Sequence, residues 1–439
     1  MRSLLRLTWA ALYLGIVLVP LGLALGSDRP RGANPAYEVS LASGLVALSL
    51  LVVTFVLPKR IRSLSSGLGI DVVMSVHRLV GVSALGFALV HVTSVLLTDP
   101  GNLAMLDPLR GRPASRAAVG GAVAMVLLVL TSVWRRRTTG RSHEVWRALH
   151  VLLSVGVVVL CGLHVYWLRH LIAESVFAQW FTLLLAVVVL VWLRRWVWRP
   201  LRALIHPYLV REVRQESPTV TTLVLEPWGH RGLTKFRPGQ FAWIRFGRTP
   251  LGFEEHPFTI ASPPRRTGEL EFTIKNLGDF SSAARAVAPG DPVWVDGPHG
   301  AFTPGPGRSR GLVLIAAGVG ITPMMSVLRS LAADRDDREH LLFVSASTLD
   351  ELLFRDEIAA IAARLRLRVV ELLAEPPADW HGGTGLVTQD VLAAHLPQRK
   401  ADLDYFLCGP PSMVGAVHAA LERLGVPPAA VHTESFDLV

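Results

Sequence analysis

The chain has 439 residues, of which 51% are hydrophobic and 18% charged, and it carries a formal net charge of +10. This length accommodates two or three domains, and the hydrophobic share places part of the chain among membrane proteins. The charge does not indicate nucleic-acid binding, because basic residues beside apolar stretches supply much of it and no basic patch is interleaved with aromatics. Only two cysteines occur, Cys161 and Cys408, so a disulfide is implausible and a cysteine-held metal cluster is excluded.

Six apolar stretches each approach the ~20 residues that a bilayer span requires. They are 4–26, 37–57, 73–97, 117–134, 144–168 and 176–198. No comparable run follows Pro200, so we expect a six-span helical membrane domain over 1–203 and a soluble remainder. A cleaved signal peptide is the alternative for the first stretch, but its apolar run exceeds the usual ~7–15-residue core.

Basic residues are concentrated at one end of these stretches. Clusters such as 135–137 and 194–195 lie on the side of the N-terminus, whereas the other side has scattered arginines such as Arg112 and Arg116. Because Lys and Arg accumulate on the cytoplasmic side, we expect both termini and the soluble half in the cytoplasm. The protein would then reside in the plasma or inner membrane.

Two of the stretches contain histidines at the same spacing. Residues 77–91 read HRLVGVSALGFALVH, and residues 150–164 read HVLLSVGVVVLCGLH. On a helix, this separation advances about 21 Å and turns about 1400°, roughly 40° short of four full turns. The two histidines of each stretch therefore share a face, and the third and fifth spans run in the same direction. His77 and His150 are expected at one depth, and His91 and His164 at another.

Two imidazoles at one depth can be the axial ligands of a haem iron. The two layers therefore predict two stacked b-type haems, with His77, His91, His150 and His164 as metal ligands. Small residues between the histidines would leave room for the macrocycles, and nearby arginines would pair with propionates. The small residues are Gly81, Ala84, Ala88 and Gly156, and the arginines are Arg60, Arg78 and Arg147. The alternative is that these histidines only hydrogen-bond neighbouring helices.

The soluble half contains two regions with different patterns of secondary structure. Between 206 and 306, short strands alternate with Gly/Pro turns and predict a small antiparallel barrel; they are TVTTLVLEP, FAWIRFG, HPFTIAS and ELEFTIKNLG. From 308 to 439, buried strands alternate with helical patterns, which predicts a parallel doubly wound sheet. Those strands are GLVLIAAG, EHLLFVSAS, LRVVELLAE and DYFLCGP.

Residues 316–323, AAGVGITP, follow the first strand of the second region. Glycines there let the backbone approach a pyrophosphate, and the following helix N-terminus favours its negative charge. The full G-x-G-x-x-G pattern is absent, and a tight turn alone would also explain the glycines. The order of the segments along the chain favours nucleotide binding. The predicted barrel comes first, residues Gly318 to Pro323 follow it, and Cys408-Gly409-Pro410 come at the end of the fourth strand.

Taken along its whole length, the chain resembles the ferric reductase and NADPH oxidase family, whose soluble half is similar to ferredoxin–NADP reductase. The resemblance rests on the two histidine stretches and five further motifs in family order: HPFTIAS, GDFSS, DGPHGAF, AAGVGITPMMSVL and FLCGPPSM. It implies an electron-transferring flavohaem enzyme in the membrane, in which no side chain need act as an acid, base or nucleophile.

The resemblance also implies site residues. His256, Pro257, Phe258 and Thr259 would bind FAD, with Phe258 against the isoalloxazine and Thr259 near its reactive nitrogen. Lys275, Ser281 and Ser282 would approach the flavin phosphates. Gly318, Gly320, Thr322 and Pro323 would bind NAD(P)H, and Cys408, Gly409 and Pro410 would border the nicotinamide. Phe436 would lie against the flavin, although three residues follow it here.

Each of these residues also has a purely structural interpretation. Phe258 could be barrel core, Thr259 a strand hydroxyl, and Cys408 a small buried hydrophobe. The structural interpretation does not explain why the motifs occur in family order. We therefore assign Phe258, Thr259, Cys408 and Phe436 to the reacting centre.

The sequence predicts a transmembrane NAD(P)H oxidoreductase that uses FAD and two haems to reduce an acceptor outside the cytoplasm. The acceptor is a ferric chelate in our preferred interpretation, because Val95 stands where NADPH oxidases commonly carry a histidine near the oxygen site. Dioxygen, giving superoxide, and a periplasmic partner protein are the alternatives. The family resemblance favours NADPH over NADH, although no arginine directly follows the second strand near Ser345 and Ser347.

Overall fold

The computed structural model describes residues 2–26, 34–59, 69–109, 111–134, 143–168, 175–251, 254–264, 268–305 and 309–434. The chain divides into two compact units, Met1–Arg199 and Pro200–Val439. The positions of Arg60 and Phe436 lie outside the described residues.

The first unit consists of six long helices. They are α1 (Arg2–Gly26), α2 (Pro35–Val56), α3 (Ile70–Thr98), α4 (Pro113–Val133), α5 (His143–Trp167) and α6 (Ser175–Leu193). Each is long and apolar enough to cross a bilayer, which confirms the six predicted spans. A π-helical turn, Arg194–Trp198, joins α6 to α7 (Arg199–Leu204).

The outer surfaces of these helices are apolar, as contact with the hydrocarbon core of a bilayer requires. Leu79 is 68% exposed and Leu97 is 72% exposed, although both lie on a long helix with its main-chain polar groups bonded internally. Helix starts are marked by local chemistry: Asn34 accepts a hydrogen bond from the N–H of Ala36 at 2.9 Å, and Pro113 opens α4.

Helix α3 packs along α2, and α5 packs along α4. Between them, Ala84 of α3, Met125 of α4 and Val157 of α5 form a buried apolar cluster. Ala84 lies midway between His77 and His91 in sequence, and Val157 lies midway between the histidines of α5. The cluster therefore separates the two histidine layers, and we call it the midplane cluster.

The second unit begins with a barrel. Its strands are β1 (Tyr208–Ser217), β2 (Val220–Pro227), β3 (Phe241–Phe246), β4 (His256–Thr259), β5 (Leu270–Lys275) and β6 (Pro292–His299), in the antiparallel order β4-β3-β6-β1-β2-β5. Ala261, just after β4, donates its N–H to the carbonyl of Glu271 on β5 at 2.8 Å. This bond joins the two edge strands, as barrel closure requires. Helix α8 (Asp279–Ala286) follows β5.

A six-stranded parallel sheet completes the second unit. Its strands are β7 (Leu312–Ala317), β8 (His340–Ala346), β9 (Leu367–Leu373), β10 (Gly383–Thr384), β11 (Asp404–Cys408) and β12 (Val431–Glu434), in the order β10-β9-β8-β7-β11-β12. The helices are α9 (Ile321–Asp334), α10 (Arg355–Ala362), α11 (Gln389–His395) and α12 (Pro411–Arg423). The strand order reverses between β7 and β11, which is where doubly wound folds bind ligands. The predicted fold class is confirmed in both halves.

Arg329 of α9 ties the parallel sheet to the barrel. Its guanidinium donates two hydrogen bonds of 2.7 Å to the carboxylate of Glu357. It also donates to the carboxylate of Glu271 on β5 at 2.8 Å and to the carbonyl of Ala261 at 2.9 Å. These bonds use donors on both edges of one planar group, so the orientation of α9 relative to the barrel is fixed by geometry as well as charge.

Candidate functional site

The four membrane histidines lie in the two predicted pairs. The ring centres of His77 and His150 are 6.3 Å apart, and those of His91 and His164 are also 6.3 Å apart. The equal spacing along two helices of the same direction accounts for the equal distances. All four rings are half-buried.

Each histidine is oriented by a hydrogen bond at Nδ1. The Nδ1 of His77 bonds the carbonyl of Thr54 at 3.0 Å, that of His91 the carbonyl of Ser40 at 2.8 Å, and that of His164 the carbonyl of Ala114 at 2.9 Å. His150 instead bonds the hydroxyl of Ser132 at 3.1 Å. A carbonyl can only accept, so Nδ1 carries the proton in the first three histidines and Nε2 keeps its lone pair.

This arrangement fits an axially ligated iron. An imidazole bond of about 2 Å on each side of one metal ion holds the two ring centres roughly 6 Å apart. Metal-bound histidines generally donate their other ring N–H to a carbonyl or similar acceptor. Among the described residues no hydrogen bond occupies the four Nε2 atoms, so both pairs meet the donor requirement of a bis-histidine haem.

Small residues shape the surroundings of the pairs. A side-chain carbon added at Gly44 of α2 would lie 2.9 Å from the Nδ1 of His91, so only glycine lets this ring reach Ser40. A carbon added at Gly156 would meet no heavy atom within 4 Å. Ala84, which we expected to leave room for a macrocycle, is instead fully buried in the midplane cluster.

The predicted flavin strand, β4, distributes its side chains over two faces, as strand geometry requires. The rings of His256 and Phe258 lie against the ring of Phe280, with centres 4.2 and 6.0 Å away. Thr259 is buried, and its hydroxyl has no hydrogen-bond partner among the described residues. A buried unpaired hydroxyl costs about 1–3 kcal/mol, which fits a position that a bound flavin completes.

Of the three predicted phosphate-contacting side chains, Ser281 and Ser282 lie at the start of α8, and Lys275 ends β5. The hydroxyl of Ser281 accepts the N–H of Gly278 at 2.9 Å, and that of Ser282 donates to Asn276 at 2.7 Å. The ammonium of Lys275 lies 3.4 Å from the carboxylate of Glu351. The two serines therefore bond residues beside the start of α8, whereas Lys275 pairs with a residue that follows β8.

The glycine turn after β7 meets the end of β11. Gly318 adopts a φ of +54°, which strongly favours glycine. A side-chain carbon at Gly320 would lie 2.3 Å from the carbonyl oxygen of Cys408. Thr322 donates to the carbonyl of Val319 at 2.9 Å, and Pro323 has no N–H to leave unsatisfied. The turn and the first turn of α9 thus lie at the topological switch point, where main-chain N–H groups can bind a pyrophosphate.

Cys408 ends β11 and has no exposed surface. Burial, and secondly the neighbouring Glu434 carboxylate, raises the pKa of its thiol well above the ordinary value. The thiol is therefore protonated at neutral pH and packs as an apolar group. Gly409 and Pro410 follow it at the loop beside the switch point.

The hydrogen-bond acceptors of the four histidines and Gly44 are features of the candidate site that the sequence pattern does not identify. Ser40 lies 51 residues from His91, and Ser132 lies 18 residues from His150. Their serine, threonine and glycine types are common on apolar helices, and only the packing of α2 on α3 and of α4 on α5 gives them a role.

Three family models match the chain in succession. The ferric reductase like transmembrane component matches residues 43–161, the FAD-binding domain matches 222–301, and the oxidoreductase NAD-binding domain matches 314–419. The first lies within the helical unit, and the other two correspond to the barrel and the parallel sheet.

Curated relatives resemble the soluble half. NADH–cytochrome b5 reductase 1 of Arabidopsis thaliana is 33% identical over 219 residues, which is 48% of this chain and 74% of the relative. NADH-cytochrome b5 reductase 1 of Pyricularia oryzae is 35% identical over 174 residues, which is 38% of this chain and 56% of the relative. The chain thus spans little more than half the length of the second protein.

A solved structure also resembles the soluble half. It is the flavohem-like FAD/NAD binding domain of nitric oxide dioxygenase from Vibrio cholerae, which is 27% identical with a TM-score of 0.48. The likeness covers 52% of this chain and 98% of that one.

Proposed function

The chain belongs to the ferric reductase and NADPH oxidase family, and on that premise we propose that it passes electrons from cytoplasmic NAD(P)H through FAD and two b-type haems to an acceptor outside the cytoplasm. The ferric reductase-like component is joined to FAD- and NAD-binding domains, so the protein is a membrane oxidoreductase. The concentration of basic residues at one end of the spans supports a cytoplasmic soluble half.

One observation carries the haem assignment. The two histidine pairs have the same separation of 6.3 Å, at two levels of the same helix pair. Histidines that only joined helices would bond each other or a neighbour through either nitrogen. Here the hydrogen bonds found for the four rings use Nδ1, which leaves each Nε2 without a hydrogen-bond partner among the described residues.

The chain's own residues would bind and orient the cofactors. When bound, FAD accepts two electrons together and releases them singly, and the haems accept one each. His77 and His150 would hold the inner haem, with Arg78 and Arg147 near its propionates. His91 and His164 would hold the outer haem.

In the soluble half, the unpaired hydroxyl of Thr259 would bond the flavin ring, and Phe258 would pack beside it. The main-chain N–H groups of the turn at Gly318 to Gly320 would bind the coenzyme pyrophosphate. The close contact of Gly320 with Cys408 would keep this turn beside the nicotinamide loop.

Two observations support NADH as the donor, whereas the family resemblance favours NADPH. Glu351 follows β8; one carboxylate oxygen accepts the N–H of Ser347 at 3.3 Å, and the other lies 3.4 Å from the ammonium of Lys275. A carboxylate near the end of the second strand typically bonds the ribose 2′-hydroxyl of NAD, whereas an arginine accommodates a 2′-phosphate. Arg355 is already held by both oxygens of Glu371, at 3.0 and 3.1 Å.

We therefore predict that NADH reduces the flavin with a kcat/KM at least about tenfold above that of NADPH, a difference of about 1.4 kcal/mol. Replacing Glu351 with Gln should lower the ratio of kcat/KM for NADH to kcat/KM for NADPH, since the Glu351 carboxylate repels the 2′-phosphate of NADPH. Stopped-flow flavin reduction measures both values. A kcat/KM for NADPH equal to or above that of NADH in the unaltered protein would contradict the assignment.

The haem assignment is tested by spectroscopy of four alanine variants. The purified protein should contain two low-spin b-type haems per chain. His77→Ala or His150→Ala should remove the signature of one haem, and His91→Ala or His164→Ala that of the other. His206→Ala is the matched control, because this residue lies in the second unit. Two intact low-spin haems in all four variants would overturn the proposal.

A further inference from the structure

Ser132 distinguishes the inner histidine pair from the outer one. Three of the four histidines bond main-chain carbonyls at Nδ1, whereas His150 bonds the side chain of Ser132 at 3.1 Å. His91 also has a hydroxyl nearby, that of Ser40 at 3.2 Å, but its shorter bond of 2.8 Å is to a carbonyl. Among the described residues, His150 is thus the paired histidine whose Nδ1 relies on a side chain, that of Ser132, as its hydrogen-bond partner.

The direction of this bond follows from a second contact. The hydroxyl of Ser132 lies 2.6 Å from the carbonyl of Leu128, one turn earlier on α4. A carbonyl only accepts, so the hydroxyl proton points to Leu128 and a lone pair of the oxygen faces His150. Nδ1 of His150 must then carry a proton, which leaves the lone pair on Nε2.

Neighbouring contacts hold the ring independently of this bond. Trp146, one turn before His150 on α5, donates its indole N–H to the carbonyl of Thr131 at 3.2 Å. The centres of the Trp146 and His150 rings are 5.1 Å apart. Because the Thr131 contact uses a main-chain oxygen, α4 and α5 stay joined at this level when the serine hydroxyl is removed.

We propose that Ser132 is a positioning residue that sets the tautomer and basicity of His150 and thereby the reduction potential of the inner haem. This inference rests on the proposed haem ligation. A hydrogen bond accepted from the remote ring N–H makes an imidazole a stronger electron donor to its metal. Losing the acceptor weakens that donation and favours the ferrous state.

The experiment is a potentiometric titration of the full-length protein in detergent, followed by haem absorption. Ser132→Ala should raise the midpoint of one haem and leave the other unchanged. Outer-sphere partners of metal ligands typically contribute 10–100-fold. We therefore expect the ratio of reduced to oxidised haem at a fixed potential to rise about tenfold, which is about 59 mV for one electron.

Two variants complete the test. Ser132→Thr keeps the hydroxyl and should retain the unaltered potential. Ser154→Ala removes a hydroxyl that donates to the carbonyl of His150 at 2.6 Å within α5. Among the described residues the Ser154 hydroxyl bonds this main-chain carbonyl and not the imidazole, so Ser154→Ala should change neither potential.

The outcomes separate this inference from the function on which it rests. Absence of haem from the unaltered protein would refute the proposed function itself. Two haems with unchanged midpoints in Ser132→Ala, or an equal shift of both, would overturn the role of Ser132 alone. Loss of one haem in Ser132→Ala with both retained in Ser132→Thr would support it, since the hydroxyl would then be the feature that His150 needs.

Discussion

Gly44 illustrates how an absent side chain can position a functional one. It lies on α2 opposite His91, and an added carbon would stand 2.9 Å from Nδ1 and 3.1 Å from Cε1 of that ring. Real side-chain carbons do not approach a neighbour this closely, and the ring is already confined by its bond to Ser40. The outer histidine pair therefore depends on this glycine.

We predict that Gly44→Ala displaces the His91 ring and removes the low-spin signature of the outer haem while leaving the inner one. Gly86→Ala is the control on α3, where an added carbon meets nothing within 4 Å. It should keep both haems, and relief of glycine's backbone entropy should stabilise the helix by about 0.5–1 kcal/mol. Haem-to-protein ratio and absorption spectra distinguish the variants, and two normal haems in Gly44→Ala would contradict the role of this glycine.

At the residue scale, the sequence identifies the paired histidines, but it does not identify the residues that surround them. The histidines are recognisable because their spacing is a local property of one helix. Thr54 lies 23 residues from His77, and Ala114 lies 50 residues from His164. No periodicity connects such positions, so these acceptors become evident only when the helices are packed.

At the element scale, the strands with continuous apolar runs were predictable. β7 and β8 are buried on both faces, and a parallel sheet covered by helices produces such runs. β10 has two residues and β12 has four, too few to show an alternation. Their places are determined by pairing with β9 and β11, which is a tertiary effect.

The contact between α9 and β5 should be a major source of local stability. The side chain of Arg329 is 10% exposed and forms ion pairs with the carboxylates of Glu271 and Glu357. We predict that Arg329→Met destabilises this region by about 3 kcal/mol, because the largely buried Glu271 carboxylate keeps only Arg214 as its partner and Glu357 loses the guanidinium. Amide hydrogen exchange of peptides from α9 and β5 should accelerate roughly a hundredfold.

Arg355→Met provides the matched control for that prediction. Arg355 pairs with Glu371 at 3.0 Å, but its side chain is 50% exposed. An exposed pair contributes about 0–1 kcal/mol, so exchange in the same peptides should change little. Equal effects of the two substitutions would show that Arg329 does not act as a buried tie between the barrel and the parallel sheet.

At the scale of the whole molecule, the prediction concerns the external acceptor. We predict that a membrane-impermeant ferric chelate is reduced faster than superoxide is formed. Val95, one turn beyond His91, cannot donate the hydrogen bond that would stabilise a developing superoxide anion. Arg112 and Arg116 on the same side would attract anionic chelates.

Sealed vesicles provide the measurement, with coenzyme confined to the side of the soluble unit. Chelate reduction is followed without oxygen, and superoxide is followed in air with a probe sensitive to superoxide dismutase. Stoichiometric superoxide formation in the presence of excess chelate would favour the oxidase alternative. Turnover only with an added periplasmic protein would favour a partner-dependent subunit.

The midplane cluster has an electrical consequence. Ala84, Met125 and Val157 fill the space between the histidine layers with apolar side chains, which electrons can cross by tunnelling but ions cannot. Under the proposed function, each electron exported through this insulator would move one negative charge outward without a counter-ion. An inside-negative membrane voltage would assist the transfer by about 2.3 kcal/mol per 100 mV. Turnover would in turn discharge that voltage, so sustained activity of this kind would require cations to leave the cell by another route.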